Sequence, residues 1–382
     1  MKSALVYKTS SGGTASKLTD TAAPSPSNLA PTQLIIKVHV SGSNPKDWKI
    51  PLMAPAYNNS NSGDDMAGTV VAIGSSVSEF APGDRVAAFH EMRTEFGSYA
   101  EYAVAWEHTT FMLPADVSDE EGATIPLAAM TAAVGLFTRL GLPEPWSTSR
   151  LLREDCAGGV AVYGAASAVG AFVVKLLVKC DIHPIICVAG NGIQFVEGLI
   201  DRGKGDTIVD YREGGEAIVR GLKAGVREGK TLKYAYDAVS DHGSYGYLCQ
   251  VLDTKSPGGS HLTTVLPGKK YEGIPEGVNL TTTAVGSVHQ ESNHDFGYAW
   301  FRLFGQGMKE GWFTPHPHEV VQGGLAGVGE GLSRLQTGKV SAKKMVFRVA
   351  ETEGVNFSET LIKARTLSAA GLFSVNIFSS SA

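Results

Sequence analysis

The run Val160-Ala161-Val162-Tyr163 is apolar and carries β-branched residues, which predicts a buried parallel strand. It passes through the small residues Gly164-Ala165-Ala166-Ser167 into Ala168-Val169-Gly170 and an amphipathic pattern to Val178, which predicts a tight turn and then a helix. Further apolar runs at 184–189, 206–211, 234–239 and 259–266 follow at helix-length intervals. Strands alternating with helices predict a parallel, doubly wound sheet. Residues 285–288 read as the last strand of that series. Beyond them the pattern predicts helices at 296–311 and 324–336 and a final strand at 344–349.

The first 130 residues have another texture. Short apolar runs at 1–7, 34–40, 67–74 and 85–89 are separated by Gly, Pro, Asn and Asp, as in a small barrel or β-rich module. The fold class is therefore α/β, with a β-rich unit ahead of the doubly wound sheet. From Glu351 the chain is rich in Ser and Thr with poor periodicity, which predicts partial disorder.

A length of 382 residues fits two domains, and a net charge of -5 offers no basic field for nucleic acid or an anionic membrane. The cysteines at 156, 180, 187 and 249 have no metal-like or disulfide-like spacing, and Cys180 and Cys187 read as buried small hydrophobes. No apolar stretch approaches membrane-spanning length, and the N-terminus reads as a strand and not a signal peptide. A cytoplasmic protein is expected.

Candidate chemistry begins at residues 164–170. A strand, a small-residue turn and a helix N-terminus form the usual seat of a dinucleotide pyrophosphate. Gly164 permits the sharp turn and Gly170 lets the helix approach the sheet; the middle glycine of the fingerprint is missing, with Ala166 and Ser167 in its place. The second strand ends Ala189-Gly190-Asn191-Gly192, and the first acid after it is Glu197. The lack of a carboxylate there favours NADPH over NADH, with Tyr211 and Arg212 as partners for the 2′-phosphate.

Several motifs resemble the medium-chain dehydrogenase/reductase superfamily. They are Gly63-Asp64-Asp65-Met66-Ala67-Gly68-Thr69-Val70, Val77-x-x-Phe80-x-x-Gly83-Asp84-Arg85-Val86, Gly97-Ser98-Tyr99-Ala100-Glu101-Tyr102, residues 123–132, the 164–170 turn and Asp210-Tyr211-Arg212. The order matches over about residues 1–350, and the sequence is similar to the zinc-independent, quinone-oxidoreductase-like branch, close to fungal trans-acting enoyl reductases. The resemblance implies a GroES-like catalytic domain (1–130 and 291–350) around a Rossmann NADPH-binding domain (131–290), followed by a tail (351–382). Zinc-dependent members place ligands where this chain has Ser41 to Asp47 and Gly63-Asp64-Asp65, and neither thiolate nor imidazole is present. No metal is expected. The helix after the second strand also lacks the lysine that often meets the 2′-phosphate.

Without a Lewis acid the fitting substrates are already electron-poor: quinones, or double bonds conjugated to a carbonyl. Hydride addition leaves an anion that needs hydrogen-bond donors and a proton. By resemblance Asn44, Asp47 and Lys49 line the nicotinamide end as catalytic candidates, with Trp48 and Asp65 at the substrate pocket. A solvated loop lysine is the plainer reading of Lys49. Asn44, Thr131, Val288 and His289 join Gly164, Ala165, Ala166, Ser167, Ala168, Val169, Gly170, Asn191, Tyr211 and Arg212 as cofactor contacts. His90, His316 and His318 read as surface or internally satisfied histidines, the last two flanking Pro317 in a turn. The expected activity is NADPH-dependent reduction of a quinone or enone. The alternatives are a trans-acting enoyl reductase served by an acyl carrier protein and a non-catalytic NADPH-binding sensor or scaffold. The resemblance also implies a homodimer.

Overall fold

A computed structural model of the chain describes residues 1–355; the predicted disorder of the tail concerns residues that, from 356 on, lie outside this range. The first part forms β1 (Lys2–Lys8), β2 (Thr14–Asp20), β3 (Gln33–Gly42), β4 (Asp65–Ile73), β5 (Arg85–Phe89), β6 (Tyr102–Trp106) and β7 (Thr110–Met112). The middle forms β8 (Val160–Tyr163), β9 (Ile185–Ala189), β10 (Thr207–Asp210), β11 (Tyr234–Asp237), β12 (Ser260–Thr264) and β13 (Val278–Thr282). β14 (His318–Val320) and β15 (Lys344–Arg348) are the last two strands among the described residues.

The middle strands make one sheet in the order β10-β9-β8-β11-β12-β13, and all its neighbours run parallel. β8, β9 and β11 are buried at every position, as a sheet covered by helices on both faces requires. The remaining strands make a two-stranded ribbon (β1-β2) and a seven-stranded sheet. In the latter β15 pairs antiparallel with β3, Val346 opposite Gly42, so the two ends of the described chain build one unit.

Aromatic stacking links the helix behind β8 to the helix His294–Lys309. Phe172, from the Ala168–Lys179 helix behind β8, stacks on Phe313 at 5.3 Å. Phe313 stacks on Phe304 at 4.9 Å, and Trp300 of the same His294–Lys309 helix stacks on Phe137 at 4.6 Å. Such pairs contribute about 0.5–1.5 kcal/mol each beyond their burial.

The structure corrects several expectations. The last strand of the parallel sheet is Val278–Thr282, and Val285–His289 is a 3-10 turn. β13 is an edge strand with little burial, so its polar Asn and Thr positions hid it. The Asn44–Lys49 segment is no loop: Asn44 caps a helix, Pro45–Met53, with proline at its first position. His318 lies in β14 and not in a turn. The helical run Asp119–Arg139 is apolar and long enough to cross a membrane by length and composition, contrary to the expectation that no stretch is, but 89% of its apolar window is buried inside the fold. Its Pro126–Ala133 portion is buried at every residue. The polar segment before β8 forms a short helix, Arg150–Asp155, capped by Ser149.

Candidate active site

The parallel sheet reverses its strand order between β8 and β11, and the crevice beyond the carboxyl ends of such strands is where this architecture binds ligands. Gly164, just past β8, has φ +79°, and a Cβ on it would lie 2.5 Å from Val239 Cγ2 beyond β11. A Cβ on Gly170 would lie 2.2 Å from the Gly164 carbonyl oxygen, so the helix seats directly on the turn. Ser167 caps that helix, its Oγ accepting from the Gly170 N–H at 3.1 Å. The glycine absent from the middle of the turn has a counterpart past the neighbouring strand β9. Ala166 packs where a Cβ on Gly192 would come within 2.4 Å of its own Cβ. A helix N-terminus behind a turn of small residues fits a pyrophosphate.

At the end expected to hold the adenosine, the Tyr211 ring covers Gly190, whose Cβ would lie 2.5 Å from Tyr211 Cε1. Arg212 donates from Nη1 to Asn191 Oδ1 at 2.8 Å and from Nε to Asp210 Oδ1 at 2.8 Å. A second bond, Nη2 to Asp210 Oδ2 at 2.5 Å, makes that pair bidentate. The structure thus brings Asn191, Tyr211 and Arg212 together, with a carboxylate already beside the arginine.

The end of the crevice where the nicotinamide is expected is a buried network of charge. Asn44 donates its backbone N–H to Asp47 Oδ2 at 2.7 Å and its side-chain Nδ2 to Asp65 Oδ2 at 2.8 Å. Tyr99 donates its hydroxyl to Asp47 Oδ2 at 2.6 Å. Lys46 reaches Asp47 Oδ1 at 2.9 Å, pairs with Asp64 and donates to the Ser62 carbonyl at 2.5 Å. Lys344, at the start of β15, pairs with Asp65 and donates to Asn44 Oδ1 at 3.2 Å. Burial raises the pKa of Asp64 to about 7, against the pull of Lys46. Burial also opposes the charge of Lys46, but Asp47 and Asp64 together carry its pKa above the ordinary lysine value. Burial raises Asp47 as well, which has no exposed surface and braces the first turn of its helix.

Lys49, one residue past Trp48 in that helix, is half-buried with its ammonium 5.3 Å from the Trp48 ring. Burial lowers its pKa, Asp241 past β11 raises it and Lys269 lowers it again. Trp48 packs on the core of the β-rich unit with its Nε1 buried and unpartnered. Thr131 is buried; its Oγ1 donates to the Leu127 carbonyl at 2.7 Å, and its own carbonyl accepts from Tyr236 at 2.8 Å. Val288 is buried, and His289 sits between Phe89 (5.0 Å) and His108 (5.5 Å) with both ring nitrogens unpartnered. Burial pushes the His289 pKa down to about 3.

Sequence reasoning passed over Lys46, Tyr99 and Lys344. Lys46 left one signal: a cation in the first turn of a helix opposes the helix dipole and calls for a carboxylate partner. Lys344 left none, because it meets Asn44 across 300 residues of chain. Among the described residues no group of three or more His, Cys, Asp and Glu is placed to hold a metal ion.

Residues 30–115 match the alcohol dehydrogenase GroES-like domain. The chain is 43% identical over 297 residues to Trans-enoyl reductase fsr4 of Gibberella fujikuroi, covering 78% of this chain and 86% of that protein. It is 34% identical over 218 residues to a chloroplastic quinone-oxidoreductase homolog of Spinacia oleracea, covering 55% of this chain and 61% of that one. An alcohol dehydrogenase superfamily protein from Novosphingobium aromaticivorans shares the fold with a TM-score of 0.72 at 20% identity, over 91% of this chain and 100% of that one. The expected superfamily and its quinone-oxidoreductase-like branch are thereby borne out. The chain belongs to the trans-enoyl reductases of the medium-chain dehydrogenase/reductase superfamily, oxidoreductases that work with a nicotinamide cofactor.

Proposed function

We propose that the protein uses NADPH to reduce the double bond of an α,β-unsaturated acyl carbonyl. One observation carries this reading: the nicotinamide end of the crevice pairs each buried carboxylate with an ammonium or an N–H and places Lys49, a half-buried cation over the Trp48 ring, on the helix that Asn44 caps. An acceptor that is already electron-poor needs such a donor at its developing oxyanion and little else. The 43% identity to a trans-enoyl reductase supports an enoyl group over a quinone.

Bound NADPH would supply the hydride. The residues of the chain do the rest. The 164–170 turn and the Ser167-capped helix hold the pyrophosphate, and Tyr211, Arg212 and Asn191 hold the adenosine end. Thr131 and the Val288–His289 turn flank the nicotinamide. Lys49 donates a hydrogen bond to the oxygen that gains charge as the β-carbon accepts hydride, and the α-carbon then takes its proton from Lys49 or water. Asn44 and Asp47 fix the helix that carries Lys49, and Asp65 holds Asn44.

Absorbance at 340 nm, with an enoyl N-acetylcysteamine thioester or 9,10-phenanthrenequinone as acceptor, tests the reading. Oxidation of NADPH by the thioester, slowed about 100-fold in Lys49→Met, is the expected result. Oxidation by the quinone alone would transfer the activity to quinones, and oxidation by neither would remove it. A carrier-bound thioester turned over far faster than its N-acetylcysteamine analogue would add an acyl carrier protein as partner.

A further inference from the structure

We propose that Lys344 is a positioning residue for the nicotinamide end, acting through the side-chain amide of Asn44. The two ends of that amide meet the two members of one ion pair: Oδ1 accepts from the Lys344 ammonium at 3.2 Å, and Nδ2 donates to Asp65 Oδ2 at 2.8 Å. The opposite amide orientation would set NH2 against ammonium and carbonyl against carboxylate. The pair therefore selects one orientation of a group that otherwise has two.

The lysine has a built place. Its side chain is 2% exposed, and it also lies 3.5 Å from the Thr124 carbonyl. Gly42 on β3 leaves room for its stem, since a Cβ there would lie 3.0 Å from Lys344 Cε. Asp65 carries the constraint further: its Oδ1 accepts from the Leu127 N–H at 2.6 Å, at the start of the helix that holds Thr131. One ammonium thus ties the caps of two crevice helices to β15. Two residues earlier, Ala342 packs on the other end of the crevice, 3.0 Å from where a Cβ on Gly192 would stand.

The inference rests on the proposed function only in taking Asn44 to lie beside the nicotinamide, and its test reads binding as well as turnover. In the full-length chain, Lys344→Met is compared with Lys344→Met/Asp65→Asn, which leaves no buried unpaired charge and so keeps the variant folded. Tryptophan quenching gives the Kd for NADPH and for 2′-phospho-ADP-ribose, which lacks nicotinamide. In the double variant NADPH is expected to bind about fivefold more weakly or worse, while the truncated ligand changes less than about twofold. Adding Asn44→Ala to it is expected to change NADPH binding by less than about twofold more, because both act through one contact. Equal losses for both ligands, or effects of Lys344 and Asn44 that multiply, would overturn the proposal and leave Lys344 a folding residue. So would a wild-type chain that binds neither ligand. If NADPH binds as expected and no acceptor oxidises it, the reductase reading fails and the positioning role stands.

Discussion

The two ends of the crevice are built by opposite means. The proposed pyrophosphate end is nearly all backbone: a glycine at positive φ, a second glycine under the helix and a serine cap, all within residues 164–170. The proposed nicotinamide end is nearly all side chain, with three carboxylates, two ammonium groups, an amide and a phenol drawn from residues 44 to 344. The first would bind by shape and fixed dipoles, which tolerate a change of residue that keeps the space open. The second holds buried charge, where removal of one partner leaves another without compensation.

That contrast gives the largest expected effect. Lys46→Met strands Asp47 and Asp64 in the protein interior and should cost about 3–5 kcal/mol in urea unfolding. Restoring the balance with Lys46→Met/Asp64→Asn should recover much of that loss. A single variant within 1 kcal/mol of wild type, on the order of a surface pair, would mean that water screens the site and that the two ends differ less than their burial implies.

The same contrast explains what the sequence shows. The pyrophosphate end is local, so strand, turn and helix are read from one stretch of chain, and β8 and its helix stand where the pattern puts them. Asn44 and Asp65 come from resemblance, but nothing near either residue announces Lys344, because the contact depends on β15 pairing with β3. Edge strand β13 was hidden for a related reason: its polar face carries no alternation strong enough to outweigh the apolar Val285–Val288 that follows.

A smaller effect should come from exchanging the small residues at the pyrophosphate end. Gly192 has φ -94°, which alanine adopts freely, so Gly192→Ala tests space alone. Its Cβ would meet Ala166 at 2.4 Å, and overpacking of this kind costs about 1–3 kcal/mol. Ala166→Gly in the same chain should relieve the clash and restore both Tm and NADPH affinity. If the double variant stays as unstable as the single one, Ala342 at 3.0 Å is the obstacle and the exchange of glycine between the β8 and β9 ends is the wrong account.

Titration separates the two kinds of burial further. His289 is buried neutral with its pKa near 3 and His90 near 4, in each case by desolvation. The unfolded chain takes up those protons at about pH 6.5, so their stabilisation is present above that value and is lost as pH falls toward the folded pKa. Each such histidine contributes a slope of about 1.4 kcal/mol per pH unit between about 6 and 4. Asp64, raised to about 7, acts in the opposite sense: it binds its proton in the folded state first, and its contribution fades as pH rises from about 4 to 7. His289→Phe should therefore flatten the acid loss of stability measured by urea unfolding between pH 6 and 4, whereas Asp64→Asn should steepen it.

The smallest effect expected is at the adenosine end, where the charges are exposed and screened by salt. Arg212 is the proposed partner of the 2′-phosphate, yet Asp210 holds it in a bidentate pair and Asn191 takes a third donor. A phosphate arriving there must share the guanidinium with that carboxylate, whose pKa the Arg212 hydrogen bonds hold below the usual range. Removing the competitor should strengthen the phosphate contact, and removing the arginine should abolish it. Asp210→Asn is thus expected to tighten NADPH binding several-fold at low salt, and Arg212→Gln to weaken it by a similar factor, with NADH unaffected by either. Equal shifts for NADPH and NADH would show that both variants act on the shape of the β10 end and not on the phosphate. In that case Lys343, which ends the loop that Ala342 lays against Gly192 and is half-exposed beside Glu319, becomes the next cation to change.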